Sequence, residues 1–381
     1  MHIVIIAPFP KDADHINGGV AGATKYLADE LVKKNGIQVT IVVPRSNVGE
    51  TTYEKWDNYQ VYRVGAKRIW FILPGTIYAV IVGRGKLNKV IRRLKPDLVH
   101  YQGCAFLASN CKVPHILTVH GIAEYDALQN WKGAIRWLRW LVLKITEDYG
   151  RRRVPHIIML SKYAQELLKE KIRAQKTWLI ENPIANSYFN VDWQFEPGRI
   201  LCCSRIMPLK NILGMIKAFI HIVQRFPHSR LRLAGTPDTD YLRACKQEIE
   251  SNNLQNRVRF LGNLSVKDVQ FELSKANCLA IPSFQENAPL TVEEAMAVGV
   301  PVVGAKVGGI PDMVENEKTG FLVDPNDTKS ICQAISKILS DETLARSMGH
   351  RAEMVAKKRF MASVICEQTL GAYNEILAKG R

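Results

Sequence analysis

The 381-residue sequence is 47% hydrophobic and 23% charged, the balance of a water-soluble globular chain with room for two or three domains. Lys and Arg number 52 against 36 Asp and Glu, a net charge of +16, and the surplus is one-sided: residues 1–190 hold 28 basic and 15 acidic residues, residues 191–381 hold 24 and 21. Charging for solubility alone would be even, so the amino-terminal half is expected to meet an anionic partner.

Eight scattered cysteines lack any C-x-x-C or partnered His spacing, which argues against zinc and a disulfide framework and fits a reducing cytosol. No signal peptide is expected, because the opening apolar run is broken by Pro8 and Pro10. The longest uncharged stretch, Ile69 to Val82, contains Pro74 and Gly75 and falls short of a bilayer span.

In chain order, HIVIIAP reads as a buried first strand, followed by a polar loop, a helix from about Ala21 to Lys34, and the strand IQVTIVVP. Asn17, Gly18 and Gly19 precede the helix; glycine there lets a phosphate or sugar approach the backbone, and an ordinary tight turn uses the same residues. The first strand is not followed by G-x-G-x-x-G and no P-loop motif occurs, so dinucleotide dehydrogenases and P-loop ATPases lose their main support.

Residues Lys67 to Lys95 carry eight basic and no acidic residues. In Trp131 to Arg153, Trp137 and Trp140 alternate with Arg136 and Arg139, and three arginines close the segment. Such interleaving suits an interfacial helix on an anionic bilayer; a helix with a solvated basic face has the same pattern. Nucleic acid would use the same charge, but no helix-turn-helix, RNP or zinc-finger signature is present.

The strands DLVHYQG, HILTVHG and HIIMLSK follow, with His120 at the carboxyl end of the second and Ser161 in the equivalent place of the third. Periodicity lapses over residues 182–199, the expected linker. A second α/β series begins with RILCCSR, where Arg205 and Lys210 flank a short loop suited to a diphosphate. Further on, Ile281 to Val314 reads as strand, loop, helix and strand. Glu286 lies in the loop, the helix starts between Pro289 and Thr291 with Glu294 in its first turn, and Gly299 stops it. A T-x-x-E capping box from Thr291 to Glu294 is the structural alternative for Glu294. The D-x-D triplets at Asp12 to Asp14 and Asp238 to Asp240 read as solvated loops rather than metal sites.

NGGV with its helix, TVHG, the Ser161 strand end, ENPI, Arg205-x-x-x-x-Lys210, LRLAGT, RVRFLG, the Glu286 to Glu294 spacing and VGGIPDMV stand in an order that spans nearly the whole chain. In that order the sequence resembles the retaining glycosyltransferases of family 4, whose two Rossmann-like domains face each other across a cleft in the GT-B arrangement. The resemblance implies an acceptor-binding domain over residues 1–190, a nucleotide-sugar domain over 191–360, and a helix over 361–381 crossing back to the first domain. It implies that Arg205 and Lys210 bind the diphosphate and that Glu294 holds the ribose. Glu286 would address the donor sugar with the loop Asn287, Ala288, Pro289, Leu290 and Thr291 beside it. Gly18 and Gly19 would close over the phosphates, and His120 would sit near the donor sugar. The loop ENAPLTVEEA departs from the aromatic and glycine common after the first Glu, which leaves the sugar open.

The expected activity is a metal-independent, retaining hexosyl transfer from a UDP- or GDP-linked sugar, with no other cofactor. The acceptor would be lipid-linked or membrane-borne, in polysaccharide, lipopolysaccharide or glycolipid assembly, and the enzyme would be cytoplasmic and peripheral on the inner face of the cytoplasmic membrane. A soluble transferase on a small acceptor and a basic nucleic-acid-binding α/β protein are the alternatives. Oligomeric state is left open.

Overall fold

The computed structural model describes residues 1–16, 18–46, 51–56, 58–65, 75–103, 105–109, 111–122, 124–125 and 133–378, without the side chains of 45, 46, 65, 75–84, 133–136, 138 and 139. The readings placed on Asn17, on 67–74, on Trp131 and on the side chains of Arg136 and Arg139 lie outside them.

The first sheet contains β1 (His2–Ile6), β2 (Gln38–Ser46), β3 (Thr52–Trp56), β4 (Tyr59–Gly65), β5 (Leu98–Gln102), β6 (His115–Val119), β7 (His156–Met159) and β8 (Lys176–Leu179). Their spatial order is β3-β4-β2-β1-β5-β6-β7-β8, parallel except for the β3 to β4 hairpin. Alternation across β1 sends Ile3 and Ile5 to one core, under the Gly19–Leu31 helix, and Val4 and Ile6 to the other. Both faces are covered, which is why the strand reads as an unbroken apolar run.

The second sheet has β9 (Arg199–Cys203), β10 (Arg230–Ala234), β11 (Val258–Gly262), β12 (Cys278–Ile281), β13 (Val302–Ala305) and β14 (Gly320–Val323), in the order β11-β10-β9-β12-β13-β14. Its strand order reverses between β9 and β12, and β1 and β5 make the same reversal in the first sheet. Such switch points open a crevice beyond the strands' carboxyl ends.

The chain passes between the sheets twice, and the two passages run side by side. Ile184 N donates to Phe360 O at 2.7 Å and Ala362 N to Ile184 O at 3.0 Å. The last helix, Ala362–Ala378, then packs into the first domain's core through Ile365, Cys366, Ala372, Tyr373 and Ile376. Tyr373 is fully buried and its hydroxyl lies 2.6 Å from His100 Nδ1, whose other nitrogen lies 2.7 Å from Thr118 Oγ1. Burial pushes His100 down to about 3, so the ring is neutral. Lys34 and Lys176 pair with Glu367 and Glu375 around the rim.

The Gly133–Arg151 helix departs from its sequence reading at one end. Arg151, expected on a basic face, is wholly buried and donates to both Glu124 oxygens at 2.7 and 2.8 Å. Glu147 and Asp148 turn toward it at 3.7 and 3.3 Å. A fork of this kind fixes the helix's rotation, because a buried guanidinium without its carboxylate is costly. What it turns outward is a stripe of four-residue spacing: Trp137, Leu141, Ile145 and Tyr149 are 55, 46, 59 and 37% exposed. Cations flank the stripe, with Lys144 Nζ 4.8 Å from the Trp140 ring and Arg153 stacked 4.1 Å over Tyr149.

Seating of the last helix is expected to depend on Tyr373. Y373A should cost ~3–5 kcal/mol in urea unfolding and Y373F about 1 kcal/mol, the first from a cavity and the second from one hydrogen bond.

Candidate active site

The site is built where β9 and β12 end. Ser204 O packs against Gly235 so closely that a Cβ there would lie 2.0 Å away, and Gly235 has φ +136°. Arg205 follows, exposed to solvent and without an ion pair among the described residues. The chain then makes one 3₁₀ turn, Pro208–Lys210, and Asn211 adopts φ 53°, ψ 36°, a left-handed conformation that asparagine tolerates. The Asn211 amide donates to Pro282 O at 3.1 Å and Pro325 O at 2.7 Å, and Phe284 N donates to Leu209 O at 2.9 Å.

These bonds hold the two strand-end loops together and bring Lys210 Nζ to 2.6 Å from Glu286 Oε1, which also accepts from Ser283 Oγ at 2.8 Å. The ammonium uses one of its three hydrogens in this pair and keeps two for a ligand. Glu286 is backed by glycines: a Cβ on Gly308 would lie 1.7 Å from Glu286 O, and one on Gly309 1.8 Å from Asn287 O. VGGIPDMV therefore seats the loop by close backbone approach.

The helix after the loop spans Leu290–Val298 and ends at Gly299 with φ 85°. Its N-cap is Pro289, with no side-chain capping bond. This corrects the capping box. Thr291 is the second helical residue rather than the cap, and Glu294 is the fifth, beyond the first turn. The free NH groups of the first turn remain uncapped by side chains.

Leu290 touches the start of the Gly19–Leu31 helix. A Cβ on Gly19 would lie 3.7 Å from Leu290 Cβ, and one on Gly22 2.8 Å from Leu290 Cδ2. That helix begins at Gly19, two residues before the expected Ala21, behind Gly18 with φ +95° and open space around it. Two positive helix ends thus meet at one place, an arrangement that an anion relieves.

Asn287 joins the domains. Its amide donates to Val119 O and His120 O, each at 3.1 Å, and its oxygen accepts from Ser161 Oγ at 2.6 Å. Ser161 also caps the Lys162–Leu168 helix by accepting from Ala164 N at 3.1 Å. Asn182 Nδ2 donates to Ala288 O at 3.1 Å, and Gln285 Nε2 to Tyr163 OH at 2.9 Å. His120 Nε2 lies 2.5 Å from Gln102 Oε1. Burial lowers His120 to about 4, leaving a neutral ring whose Nδ1 is an acceptor.

Glu294 is 6% exposed. Its carboxyl hydrogen-bonds Tyr188, whose ring lies edge-on 6.4 Å from Tyr26 of the first domain. Burial pushes the Glu294 carboxyl up to about 8 despite Tyr188. Of the sequence-named residues, the structure joins Lys210 to Glu286, Asn287 to the His120 backbone, Gly19 to Leu290, and Ala288 to Asn182. Arg205 makes no ion pair with them among the described residues, and Thr291 is only half-buried beside them. Sequence reasoning missed the roles of Ser283, Asn211, Tyr26 and Tyr188; an asparagine just before a helix was the one readable signal.

Two family models divide the chain: "Glycosyltransferase Family 4" matches residues 17–187 and "Glycosyl transferases group 1" residues 189–355. The chain belongs to glycosyltransferase family 4. It is 26% identical over 384 residues to an uncharacterized glycosyltransferase of Methanocaldococcus jannaschii, covering 94% of each chain. It is 29% identical over 174 residues to the N-acetyl-alpha-D-glucosaminyl L-malate synthase of Bacillus anthracis, covering 46% of this chain and 44% of that one. Among solved structures, sucrose-phosphate synthase from Thermosynechococcus elongatus superposes with a TM-score of 0.85 at 21% identity, over 99% of both chains. Anabaena HepE in complex with UDP and glucose gives 0.75 at 19%, over 98% of this family 4 chain and 100% of that one. The fold is GT-B, and the enzyme is a glycosyltransferase.

The Glu294 shift has a sign. The folded state keeps the proton that the unfolded state loses above the usual carboxylate range, so this group's contribution to stability is present at acid pH and is lost as pH rises toward about 8. E294Q should therefore gain on wild type by up to about 1.4 kcal/mol per pH unit in that window, read by urea unfolding at several pH values. A constant difference across the window would contradict the buried neutral acid.

Proposed function

We propose that this transferase moves a hexose-type sugar, with retention, from a UDP- or GDP-linked donor to a lipid-linked or membrane-borne acceptor in polysaccharide or glycolipid assembly. The observation that carries the donor reading is the convergence of two uncapped helix starts, at Gly19 and Leu290, beside Lys210.

Cleavage of the bond between the anomeric carbon and the phosphate oxygen leaves positive charge on the sugar and negative charge on the diphosphate. Helix ends, Lys210 and the free Arg205 meet that negative charge where it develops. In this reading they do so without a metal ion. The acceptor oxygen bonds to the anomeric carbon on the face the phosphate leaves, and its proton passes to the departing phosphate oxygen. Neutral His120 contributes a hydrogen-bond acceptor beside the sugar rather than a cation. Glu286, held by Lys210 and Ser283, is presented to the sugar hydroxyls, and Glu294 to the ribose in place of the Tyr188 hydroxyl. HepE in complex with UDP and glucose, and a Staphylococcus aureus capsular polysaccharide biosynthesis glycosyltransferase 28% identical over 210 residues, support the donor class and the polysaccharide setting.

R205A and K210A should each lower kcat/KM for UDP- or GDP-sugar turnover about a hundredfold, the loss typical of one charge-stabilising group. Wild-type rates in both variants would overturn the diphosphate assignment.

The membrane part rests on the stripe of Trp137, Leu141, Ile145 and Tyr149 with Lys144 and Arg153 beside it, in the half of the chain that carries the basic surplus. Aromatic and aliphatic side chains at the headgroup level, flanked by cations, fit an anionic bilayer surface. No helix among the described residues is long and apolar enough to cross a membrane. Flotation with phosphatidylglycerol vesicles should carry the protein at low salt, and W137E/I145E should abolish it while turnover of a water-soluble acceptor persists. Equal flotation of the variant, or none by wild type, would favour the second reading, a transferase of small soluble acceptors. The malate synthase relative and a D-inositol 3-phosphate glycosyltransferase of Corynebacterium glutamicum, 30% identical over 183 residues, point that way.

A further inference from the structure

Directly before Glu294 stands a second carboxyl with a different environment. Glu293, the fourth residue of the Leu290–Val298 helix, is 1% exposed, and its Oε2 is fully buried without a hydrogen-bond partner. Asn182, on the passage between the domains, is 3% exposed, and its Oδ1 is likewise buried and unpartnered. The two side chains are in hydrogen-bond contact with each other.

The groups facing Glu293 pull both ways: the Asn182 hydrogen bond favours the ionised carboxylate, and burial opposes it more strongly. Glu181 and Glu294 oppose a further negative charge, and Arg359 is the cation that favours it among the described residues. Arg359 is already committed: it pairs with both oxygens of Glu181, and its Nη2 donates to Asp312 O at 2.9 Å. Two buried acceptors without a partner among the described residues are an unstable arrangement unless one of them carries a hydrogen. The Asn182 amide nitrogen has two hydrogens, of which one goes to Ala288 O at 3.1 Å.

We propose that Glu293 is a neutral carboxylic acid that closes a two-hydrogen-bond ring with Asn182, and that this ring positions the Glu286–Pro289 loop. Its hydroxyl donates to Asn182 Oδ1, and the second amide hydrogen of Asn182 returns to the Glu293 carbonyl oxygen. Both orphaned atoms are satisfied at once, with no charge buried. Because the same amide grips Ala288 O, the ring sets the loop that carries Glu286 and Asn287 against the passage between the domains. Glu293 and Asn182 act on transfer only through that loop, as positioning residues. Desolvation drives the Glu293 carboxyl well above the usual range, in the same direction.

Infrared difference spectra of the full chain at neutral pH test the protonation without reference to activity. Subtracting E293Q from wild type should reveal a protonated-carboxyl C=O band, and N182A should shift that band to higher frequency by removing its partner. A difference confined to the carboxylate region overturns the neutral acid; a band unmoved by N182A overturns the ring. The positioning role rests on the transferase reading. There, E293Q, which keeps a hydrogen for Asn182 Oδ1, should hold kcat/KM near wild type. E293A should raise the donor KM about tenfold, the effect of one unpaired buried group, with a smaller change in kcat. Equal kinetics in E293A and wild type would overturn positioning while leaving the infrared result intact, and absence of turnover in every variant, wild type included, would count against the transferase reading instead.

Discussion

The Asn287 side chain is the interaction on which the rest of the site depends. One amide takes two backbone carbonyls from the end of β6 and one hydroxyl from the end of β7, so a loop of the second domain completes the edge of the first. Asparagine suits this because its donors and acceptor lie on one rigid plane. Aspartate would have faced two carbonyls with acceptors only. The glycines at 308 and 309 serve the same contact, since any side chain there would push the loop off its seat.

Around that contact the charges are arranged for a visitor. Lys210 is steadied by Glu286 rather than neutralised in the interior, and two helix starts are left without capping side chains. Three sources of positive potential therefore converge on a small volume where Glu286 pairs with Lys210, while burial drives the carboxyls of Glu293 and Glu294, on the helix itself, upward. A carboxylate at either position would cancel part of the field that the helix ends supply. Uncapped helix starts cost stability in an empty protein; here they are the feature most simply explained by a bound anion.

Much of this architecture was legible beforehand, for identifiable reasons. Strands buried on both faces leave continuous apolar runs, and helices between them leave a 3.6-residue period, so the two α/β series could be read from HIVIIAP and RILCCSR onward. The order of strand, loop, helix and strand over Ile281 to Val314 was readable because apolar runs and Gly299 mark its boundaries. Helix starts were less so: Pro289 and Gly18 open their helices without a side-chain cap, and the capping box at Thr291 matched a common pattern that the backbone does not adopt. Arg151 shows a different limit. A triple arginine looks like surface, and only the folded position of Glu124, 27 residues away, draws one of the three inside. The links across the domains could not be inferred, because Asn287 and Ser161 lie 126 residues apart and nothing local to either names its partner.

The paired passages at Ile184 and Phe360 carry a consequence for how strongly the domains need to hold each other. Two adjacent covalent straps keep the facing surfaces at an effective concentration far above that of separate molecules, so closing is an intramolecular event. The hydrogen bonds of Asn287 and Gln285, with those from Tyr163 N to Asp312 Oδ2 and from Val266 N to Asp14 O at 3.0 Å each, then need only orient the two faces. The straps also lie together, so a relative rotation of the domains would pivot beside them. A pivot beside two straps and a clasp of few hydrogen bonds suit a two-domain cleft that opens and closes around what it binds.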